Sequence, residues 1–142
     1  MKCKWDFSEF YEFAEKLEND NTIETAYMTA TRNIAKALHG YLLQLTPVDT
    51  GNLRKMWSAG DNLMFYVDRV EGGFQVTLVN AAQRADGYKY GWVVNYGHTT
   101  PNGGWVMGRF FVENSVAAVE EKSKEIIMKE LRKWFKGCIH GK

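Results

Sequence analysis

The chain has 142 residues, of which 45% are hydrophobic and 25% are charged. This composition is that of an ordinary soluble globular protein and excludes intrinsic disorder of the whole chain. Its 18 basic and 17 acidic residues leave a formal charge of +1. The overall basic excess of a protein that binds nucleic acid through phosphate contacts is therefore missing, although a local basic patch stays open. The length predicts a single domain covering residues 1–142.

Three features of the sequence bear on cellular location: its N-terminal segment, its cysteines and its apolar runs. The segment from Met1 to Asp6 is charged and has no apolar run, so we expect no signal peptide. Cys3 and Cys138 are too few for a disulfide scaffold, which favours synthesis in a reducing, intracellular compartment. No stretch approaches the roughly 18 consecutive apolar residues of a membrane span, and we expect no membrane association.

Three segments place apolar residues at helical spacing. They predict a short helix over residues 6–18, a long helix over 22–45 and a C-terminal helix over 109–136. Pro47 ends the second helix, because the residue before a proline avoids helical angles. Gly137 is expected to terminate the third helix.

Turn-forming residues cluster after the second helix, from Thr46 to Asn52. They predict a turn that leads into a single helical turn ending at Met56. In this interpretation Asp49 caps the helical turn by accepting hydrogen bonds from the backbone N–H groups of Gly51 or Asn52.

The centre of the chain, residues 62–96, has the alternating pattern of β-strands. Runs at 63–68, 74–79 and 88–96 alternate along the chain, and Glu71-Gly72-Gly73 between the first two is typical of a hairpin turn. We therefore predict an α+β fold in which an antiparallel sheet of three to four strands packs against two long helices.

Residues 97–108 contain four glycines together with Pro101 and Asn102. This composition predicts a long loop without regular structure. A loop of about twelve residues is long for a compact domain of this size and is usually functional or disordered.

The sequence contains no Gly-rich phosphate loop ending in Gly-Lys-Ser/Thr, no His-Glu-x-x-His and no Gly-x-Ser-x-Gly. His39, His98 and His140 fall in a helix, a loop and the tail, and the sequence names no nucleophile or carboxylate within their reach. Cys3, Cys138 and His140 provide three ligands, whereas structural zinc sites have four. We predict no catalytic residue, no cofactor and no metal site. A small enzyme using His98 and a loop carboxylate is one alternative.

A nucleic-acid-binding module is a second alternative. Its candidates are Arg54-Lys55, Arg84 with Lys89, and the aromatic row from Tyr88 to Tyr96, which could stack on bases. Solvated basic side chains, and a core or interface role for the aromatic row, are the more usual outcomes. The lone residues Asp49 and Asp61 are more typical of turns than of catalysis.

Three segments resemble a family of tailed-phage minor structural proteins, the head-to-tail joining or tail-completion proteins. Residues 46–57, TPVDTGNLRKMW, resemble the family segment T-P-V-D-T-G-x-L-R-x-S-W. Residues 90–98, YGWVVNYGH, resemble Y-A-x-x-V-E-x-G-H, with Gly91 in place of the usual Ala and Asn95 in place of the usual Glu. Residues 103–111, GGWVMGRFF, resemble G-G-x-V-x-G-R-x-F.

The resemblance implies a non-enzymatic virion protein of the neck or upper tail. It implies a homo-oligomeric ring, commonly a hexamer, that completes the tail and helps to join it to the head. The implied partners are other copies of the chain, a tail-tube or tail-terminator protein and the head–tail connector proteins, while DNA passes through the lumen without specific contacts. A tail-terminator or head-completion (stopper) subunit of the same neck is the nearest alternative.

A ring subunit contacts its neighbour through two different patches, and two segments are candidates for them. The trio Trp105, Val106 and Met107 is expected to be exposed on the glycine-framed loop, the alternative being that Trp105 folds back onto its own sheet. The turn from Pro47 to Leu53 is the second candidate, unless it merely tightens the connection from helix to sheet. The predicted contact residues are Pro47, Val48, Asp49, Thr50, Gly51, Leu53, Trp92, His98, Trp105, Val106, Met107 and Arg109.

Overall fold

Two long helices form the frame of the protein. The structure is a computed structural model that describes residue 15, residues 22–58 and residues 66–140. Helix α1 spans Thr22–Leu45, the range that its apolar spacing predicts, and the last helix, α4, spans Phe111–Ile139. They pack antiparallel. The Trp134 indole at the end of α4 donates a 2.7 Å hydrogen bond to the hydroxyl oxygen of Thr22 at the start of α1.

Short elements connect the two long helices, and the strands among them pair antiparallel two by two. β1 pairs with β4, β2 with β3 and β5 with β6. In chain order the elements are α2 (Asn52–Lys55), β1 (Trp57–Ser58), β2 (Tyr66–Val70), β3 (Gly73–Thr77), β4 (Val79–Asn80), α3 (Gly91–Tyr96), β5 (Gly97–Thr99) and β6 (Trp105–Met107).

The mixed helix-and-strand class is confirmed, but the single sheet of three to four strands is wrong for the part of the chain that the structure describes. β3 and β4 are almost continuous, with only Leu78 between them. Their partners β1 and β2, in contrast, are separated along the chain by residues 59–65. The pair Trp57–Asn80 and the pair Tyr66–Thr77 therefore belong to two separate ladders with different registers. The predicted hairpin at Glu71-Gly72-Gly73 does form, between β2 and β3.

The predicted strand over 88–96 is also wrong, because its second half is helix α3. Tyr90 and Val94 are four residues apart, as are Trp92 and Tyr96. This spacing satisfies an alternating strand and one side of a helix equally well. The carbonyl oxygen of Tyr90 accepts the N–H of Val94 at 3.2 Å, which closes the helical turn.

The glycine-rich segment 97–108 contains regular structure, so the prediction of a loop without regular structure is wrong. β5 and β6 form a small hairpin in which Gly97 pairs with Met107 and Thr99 with Trp105. The Thr100 hydroxyl accepts a hydrogen bond from the N–H of Gly104 at 2.9 Å and so closes the turn. The glycines are used for the turn and for close packing and do not prevent pairing.

The C-terminal helix is displaced from its predicted range 109–136. It begins at Phe111, because Phe110 has a left-handed φ of 48, and the N–H groups of Arg109 and Phe110 donate to carbonyl oxygens of α3. The predicted terminator Gly137 lies inside the helix, which continues to Ile139. The predicted helix over residues 6–18 lies outside the described residues apart from Glu15, which is helical.

The core joins the end of α1 to the start of α4. Leu42, Leu53, Ala82 and Phe111 form its buried centre. The rings of Trp57 and Phe111 meet edge to face, 6.2 Å apart. Burying a Leu or Phe side chain contributes about 1.5–3 kcal/mol, so this centre holds the segments around α2 and α3 to the helical frame. The side chains that pack around it are Leu38, Trp57, Leu78, Tyr90, Val94 and Val112.

Candidate contact surfaces

Thr46 anchors the turn that follows α1. It is 1% exposed, and its hydroxyl donates to the carbonyl oxygen of Leu42 in the last turn of that helix. The same hydroxyl oxygen accepts the indole N–H of Trp57 at 2.8 Å, while the carbonyl oxygen of Thr46 accepts the Arg54 guanidinium at 3.0 Å. These bonds join both ends of the 46–57 segment, so the turn between them has a defined shape.

Gly51, and not Asp49, precedes the helical turn α2. Gly51 has φ +83, a left-handed conformation that favours glycine, and no side chain caps α2. The predicted Asp49 cap is therefore wrong. The backbone N–H of Asn52 lies 3.4 Å from the Thr50 hydroxyl oxygen, which takes the local acceptor position. Val48, Asp49 and Thr50 are left exposed on the surface.

Two asparagines attach this turn to the rest of the core. The Asn52 amide donates to the Tyr90 hydroxyl at 2.9 Å. The Asn80 amide donates to the carbonyl oxygen of Leu53 at 2.8 Å, and its side-chain oxygen accepts the N–H of Ala82 at 2.9 Å. The turn is thereby held against α3 and the segment after β4.

An open depression of about 710 Å³, the turn groove, lies between this turn and α3. Leu53, Tyr90 and Val94 contribute buried or half-buried apolar surface to it. Its charged residues are Asp49, Arg84 and Arg109, all exposed, and Arg84 lies 3.7 Å from Asp86. The residues that line the turn groove are Pro47, Val48, Asp49, Thr50, Gly51, Asn52, Leu53, Gln83, Arg84, Tyr90, Val94 and Arg109.

Asn95 connects α3 to α4. It is 2% exposed. Its side-chain oxygen accepts the N–H of Val112 at 3.1 Å, and its amide donates to the Glu113 carboxylate at 2.8 Å. One buried amide therefore satisfies a free N–H at the start of α4 and a carboxylate in its first turn. Because Glu113 already supplies a negative charge there, the amide of Asn95 can donate to it, which a carboxylate at position 95 could not do.

Gly97 lets the two strands of the β5–β6 hairpin come close together, and Gly108 lets the hairpin pack against the end of α3. A Cβ on Gly108 would lie 2.3 Å from the carbonyl oxygen of Asn95, and one on Gly97 would lie 2.3 Å from that of Val106. Real Cβ atoms do not come so close to backbone atoms. The hairpin therefore lies directly on the backbone of α3 and carries its side chains to the protein surface.

Six large apolar side chains are exposed on α3, on the hairpin and on the residue before α4. We call this set, Trp92, Tyr96, Trp105, Val106, Met107 and Phe110, the hairpin surface. Trp92, Trp105 and Met107 are 73%, 62% and 76% exposed. The Tyr96 ring lies 4.3 Å from that of Trp92 and 6.2 Å from that of Phe110, centroid to centroid. The prediction that residues 105–107 are exposed in the isolated chain is confirmed.

The Tyr96 hydroxyl forms a hydrogen bond with the Glu113 carboxylate at the edge of the hairpin surface. This bond raises the pKa of Tyr96 and is the main cause that lowers the pKa of Glu113. The Asn95 amide also lowers the pKa of Glu113. Glu113 therefore stays ionised next to the start of α4, where a negative charge is favourable.

Eleven of the twelve predicted contact residues fall into two sets, and His98 belongs to neither. Seven line the turn groove, and of these Leu53 is buried. Four belong to the hairpin surface, namely Trp92, Trp105, Val106 and Met107. His98 is exposed and pairs with Val106 in the hairpin register. The seven groove residues are Pro47, Val48, Asp49, Thr50, Gly51, Leu53 and Arg109.

Sequence reasoning missed the residues that shape these surfaces. Thr46, Arg54 and Trp57 lie in the first family segment, but only their tertiary contacts show that they hold the turn. Asn95 departs from the family pattern, and that departure was the available signal of a special role. Nothing in the sequence marks Phe110, whose φ of 48 is the one positive value outside glycine among the described residues.

Other candidates for chemistry do not assemble into a site. Across residues 22–58 and 66–140, no three His, Cys, Asp or Glu side chains come together as metal ligands. His39 donates from Nε2 to the carbonyl oxygen of Trp57 at 3.0 Å, a structural contact. Asp61 and Cys3 lie outside the described residues. In the same ranges, none of the helices has the length and apolarity to cross a membrane.

An open groove and a separate set of exposed aromatic side chains, both built on a hydrogen-bonded frame, are typical of a subunit that binds other proteins. A family model described as "Bacteriophage HK97-gp10, putative tail-component" matches residues 8–97. The match covers more than half of the chain, which therefore belongs to this family of phage tail components. It confirms the resemblance to phage head–tail joining and tail-completion proteins. No curated protein and no solved structure matches the chain significantly.

Proposed function

We propose that this chain is a structural subunit of the neck or upper tail of a phage or phage-derived particle. It assembles into a ring that completes the tail and helps to join the tail to the head. In this role the chain binds proteins and transforms no substrate. The family supports the tail-related part of the proposal, and the exposed surfaces support the assembly part.

The observation that carries the proposal is the exposure of the hairpin surface. Trp92, Trp105 and Met107 are each more than half exposed, although aromatic residues and Met are the types enriched where proteins meet. The close packing of Gly108 on the backbone of Asn95 and Tyr96 holds the hairpin against α3. A rigid apolar surface loses little conformational freedom when a partner covers it.

The experiment is a Trp105→Ala substitution, with Met128→Ala as its matched control. Met128 is also an exposed large apolar side chain, but it lies on α4. Circular dichroism should show both variants folded. In light scattering, Trp105→Ala should reduce the mass of the assembled species, whereas Met128→Ala should not. In particles whose own copy of the chain is deleted, only the control should restore tail joining.

Two results would contradict the proposal. Loss of fold together with loss of assembly in Trp105→Ala would show that the tryptophan has a core role. Full restoration of tail joining by that variant would show that the surface has no part in assembly. Density for the chain in the intact particle then distinguishes a tail-completion ring from a tail-terminator or stopper ring by its station in the neck.

A further inference from the structure

We propose that the hairpin surface of one copy binds in the turn groove of the next copy, as a head-to-tail contact. This inference deepens the proposed function and rests on it. It assigns the two halves of the contact to different residues of the same chain. It therefore predicts assemblies that grow by addition of one copy at a time, either closing into a ring or extending as a filament.

The hairpin surface is large enough to be one half of a stable interface. A whole aromatic side chain accounts for about 150–250 Å², so the exposed fractions of its six side chains amount to on the order of 700 Å². The largest apolar patch on a typical monomer is about 300–600 Å². Each partner in a standard interface contributes about 800 Å². Val106 lies on the opposite face of β6 from Trp105 and Met107, so the area that faces one way is at the upper end of what a monomer shows and approaches what an interface needs.

The backbone of Phe110 is an independent sign that this surface is used. Its φ of 48 is unfavourable for a residue with a large side chain. The hydrogen bonds from Arg109 to Val94 and from Phe110 to Asn95 hold it there. The ring that this strained backbone presents is exposed and contacts Tyr96 of the hairpin surface. Backbone strain of this kind concentrates at functional sites.

The position of the two surfaces on α3 points to a second copy as the occupant. Tyr90 and Val94 line the turn groove, whereas Trp92 and Tyr96 belong to the hairpin surface. Residues two apart in a helix project about 200° apart, so the two surfaces lie on opposite sides of α3. One molecule cannot bring them together, but successive molecules can.

The chemistry of the two surfaces is also complementary. The segment from Gly97 to Gly108 contains no Asp, Glu, Lys or Arg. The turn groove offers the apolar side chains of Leu53, Tyr90 and Val94 to a partner. Its charged lining residues, Asp49, Arg84 and Arg109, are exposed. An uncharged, aromatic projection brings no charge of its own that would lose its solvation in such a groove.

The test uses two variants that each disable one half of the contact. Trp105→Ser removes the main side chain of the hairpin surface, and Val48→Asp places a charge in the turn groove. Each alone should weaken self-association about tenfold or more, as truncation of an interface hot spot does. Mixed in equal amounts, they should form a dimer and nothing larger, because each pair retains one intact groove and one intact hairpin surface.

Control variants show whether an effect is specific to the two surfaces, and replacement variants are available if one of the first two does not fold. Met128→Ser and Val70→Asp change exposed side chains of the same types elsewhere and should assemble like the wild type. If Trp105→Ser does not fold, Met107→Ser replaces it, and Gln83→Trp replaces Val48→Asp. Sedimentation velocity measures the species, and circular dichroism checks the fold.

Three results would overturn the inference. A wild-type chain that stays monomeric at high concentration has no such contact. A mixture of the two variants that stays monomeric shows that the hairpin surface and the turn groove do not bind each other. If either variant assembles like the wild type, the surface that it alters takes no part in the contact. If the mixture dimerises but both variants still restore tail joining in particles, the contact is right and the proposed role in the tail is wrong.

Discussion

The indole Nε1 of Trp57 donates a hydrogen bond of 2.8 Å to the hydroxyl oxygen of Thr46. Eleven positions separate the two residues, and the turn between them forms one wall of the turn groove. The shape of a candidate contact surface therefore depends on a hydrogen bond between residues that do not themselves line it.

Thr46→Val should destabilise the fold by about 1–3 kcal/mol, because the Trp57 N–H then lacks its acceptor. Thr46→Ser retains the hydroxyl and should cost less. Thr29→Val is the matched control. That hydroxyl bonds only to Thr25 within α1, and its removal should change stability by about 0.5 kcal/mol or less. Urea unfolding measures all three. Equal costs at positions 46 and 29 would contradict the anchoring role.

Asn95→Asp should destabilise the protein at neutral pH. The new carboxylate can still accept the N–H of Val112, but it faces the Glu113 carboxylate in place of an amide donor. Two such carboxylates raise the pKa of one of them. A folded-state pKa above the unfolded value means that stability is highest below the unfolded pKa and is lost as the pH rises. The deficit relative to the wild type should therefore shrink in acid.

Urea unfolding at about pH 4 and pH 7 measures this deficit for Asn95→Asp. The control is Asn114→Asp, at an exposed position in the first turn of α4, where an added negative charge should be neutral or slightly stabilising. A deficit that is the same at both pH values would mean that Asn95 acts by shape alone.

Tyr96→Phe should remove a contribution to stability that is confined to a window of pH. The lowered pKa of Glu113 means that its contribution is present above the unfolded pKa and is lost as the pH falls through the folded value. The raised pKa of Tyr96 means that its contribution is present below the unfolded pKa and is lost as the pH rises through the folded value. The difference in melting temperature between wild type and variant should be greatest in the neutral range and decline on both sides. Tyr88→Phe, at another exposed tyrosine, should show no such window.

Gly108→Ala should cost about 3 kcal/mol or more. The added Cβ would meet the carbonyl oxygen of Asn95 at 2.3 Å and backbone atoms of Tyr96 at 2.4 and 2.7 Å, and backbone cannot move aside as a side chain can. Gly40→Ala is the opposite case, since nothing lies within 4 Å of its added Cβ in the interior of α1. It should stabilise the helix by about 0.5–1 kcal/mol. Thermal unfolding of the two variants measures the contrast, and a mild effect at 108 would show that the hairpin can shift.

Phe110→Gly should be more stable than Phe110→Ala by about 1–2 kcal/mol. Both variants lose the ring contact with Tyr96, but only glycine tolerates a φ of 48 without strain. This order is the reverse of the one expected in a helix interior. Chemical denaturation decides it. An alanine variant as stable as the glycine variant would mean that the backbone at 110 carries no strain.

Local patterns determined much of this protein. Apolar spacing placed α1, because a helix that packs on one side needs that period wherever it lies in a fold. The glycine pair placed the β2–β3 hairpin, since its turn requires little from the rest of the chain. The segments 46–57 and 90–98 indicated the family. The exposure of Trp105 also followed from the sequence, because flanking glycines leave a side chain without local cover.

Tertiary structure decided what those patterns leave ambiguous. A spacing of four residues between Tyr90 and Val94 fits a strand or a helix, and packing against Leu53 and the hydrogen bonds of Asn95 to α4 select the helix. That helix then separates the turn groove from the hairpin surface. The same is true of the strained Phe110 and the crowded Gly108, whose conformations follow from hydrogen bonds and contacts with residues distant in the chain. Sequence patterns indicate the local period of an element, whereas the shape of the candidate contact surfaces depends on which distant segments the fold holds side by side.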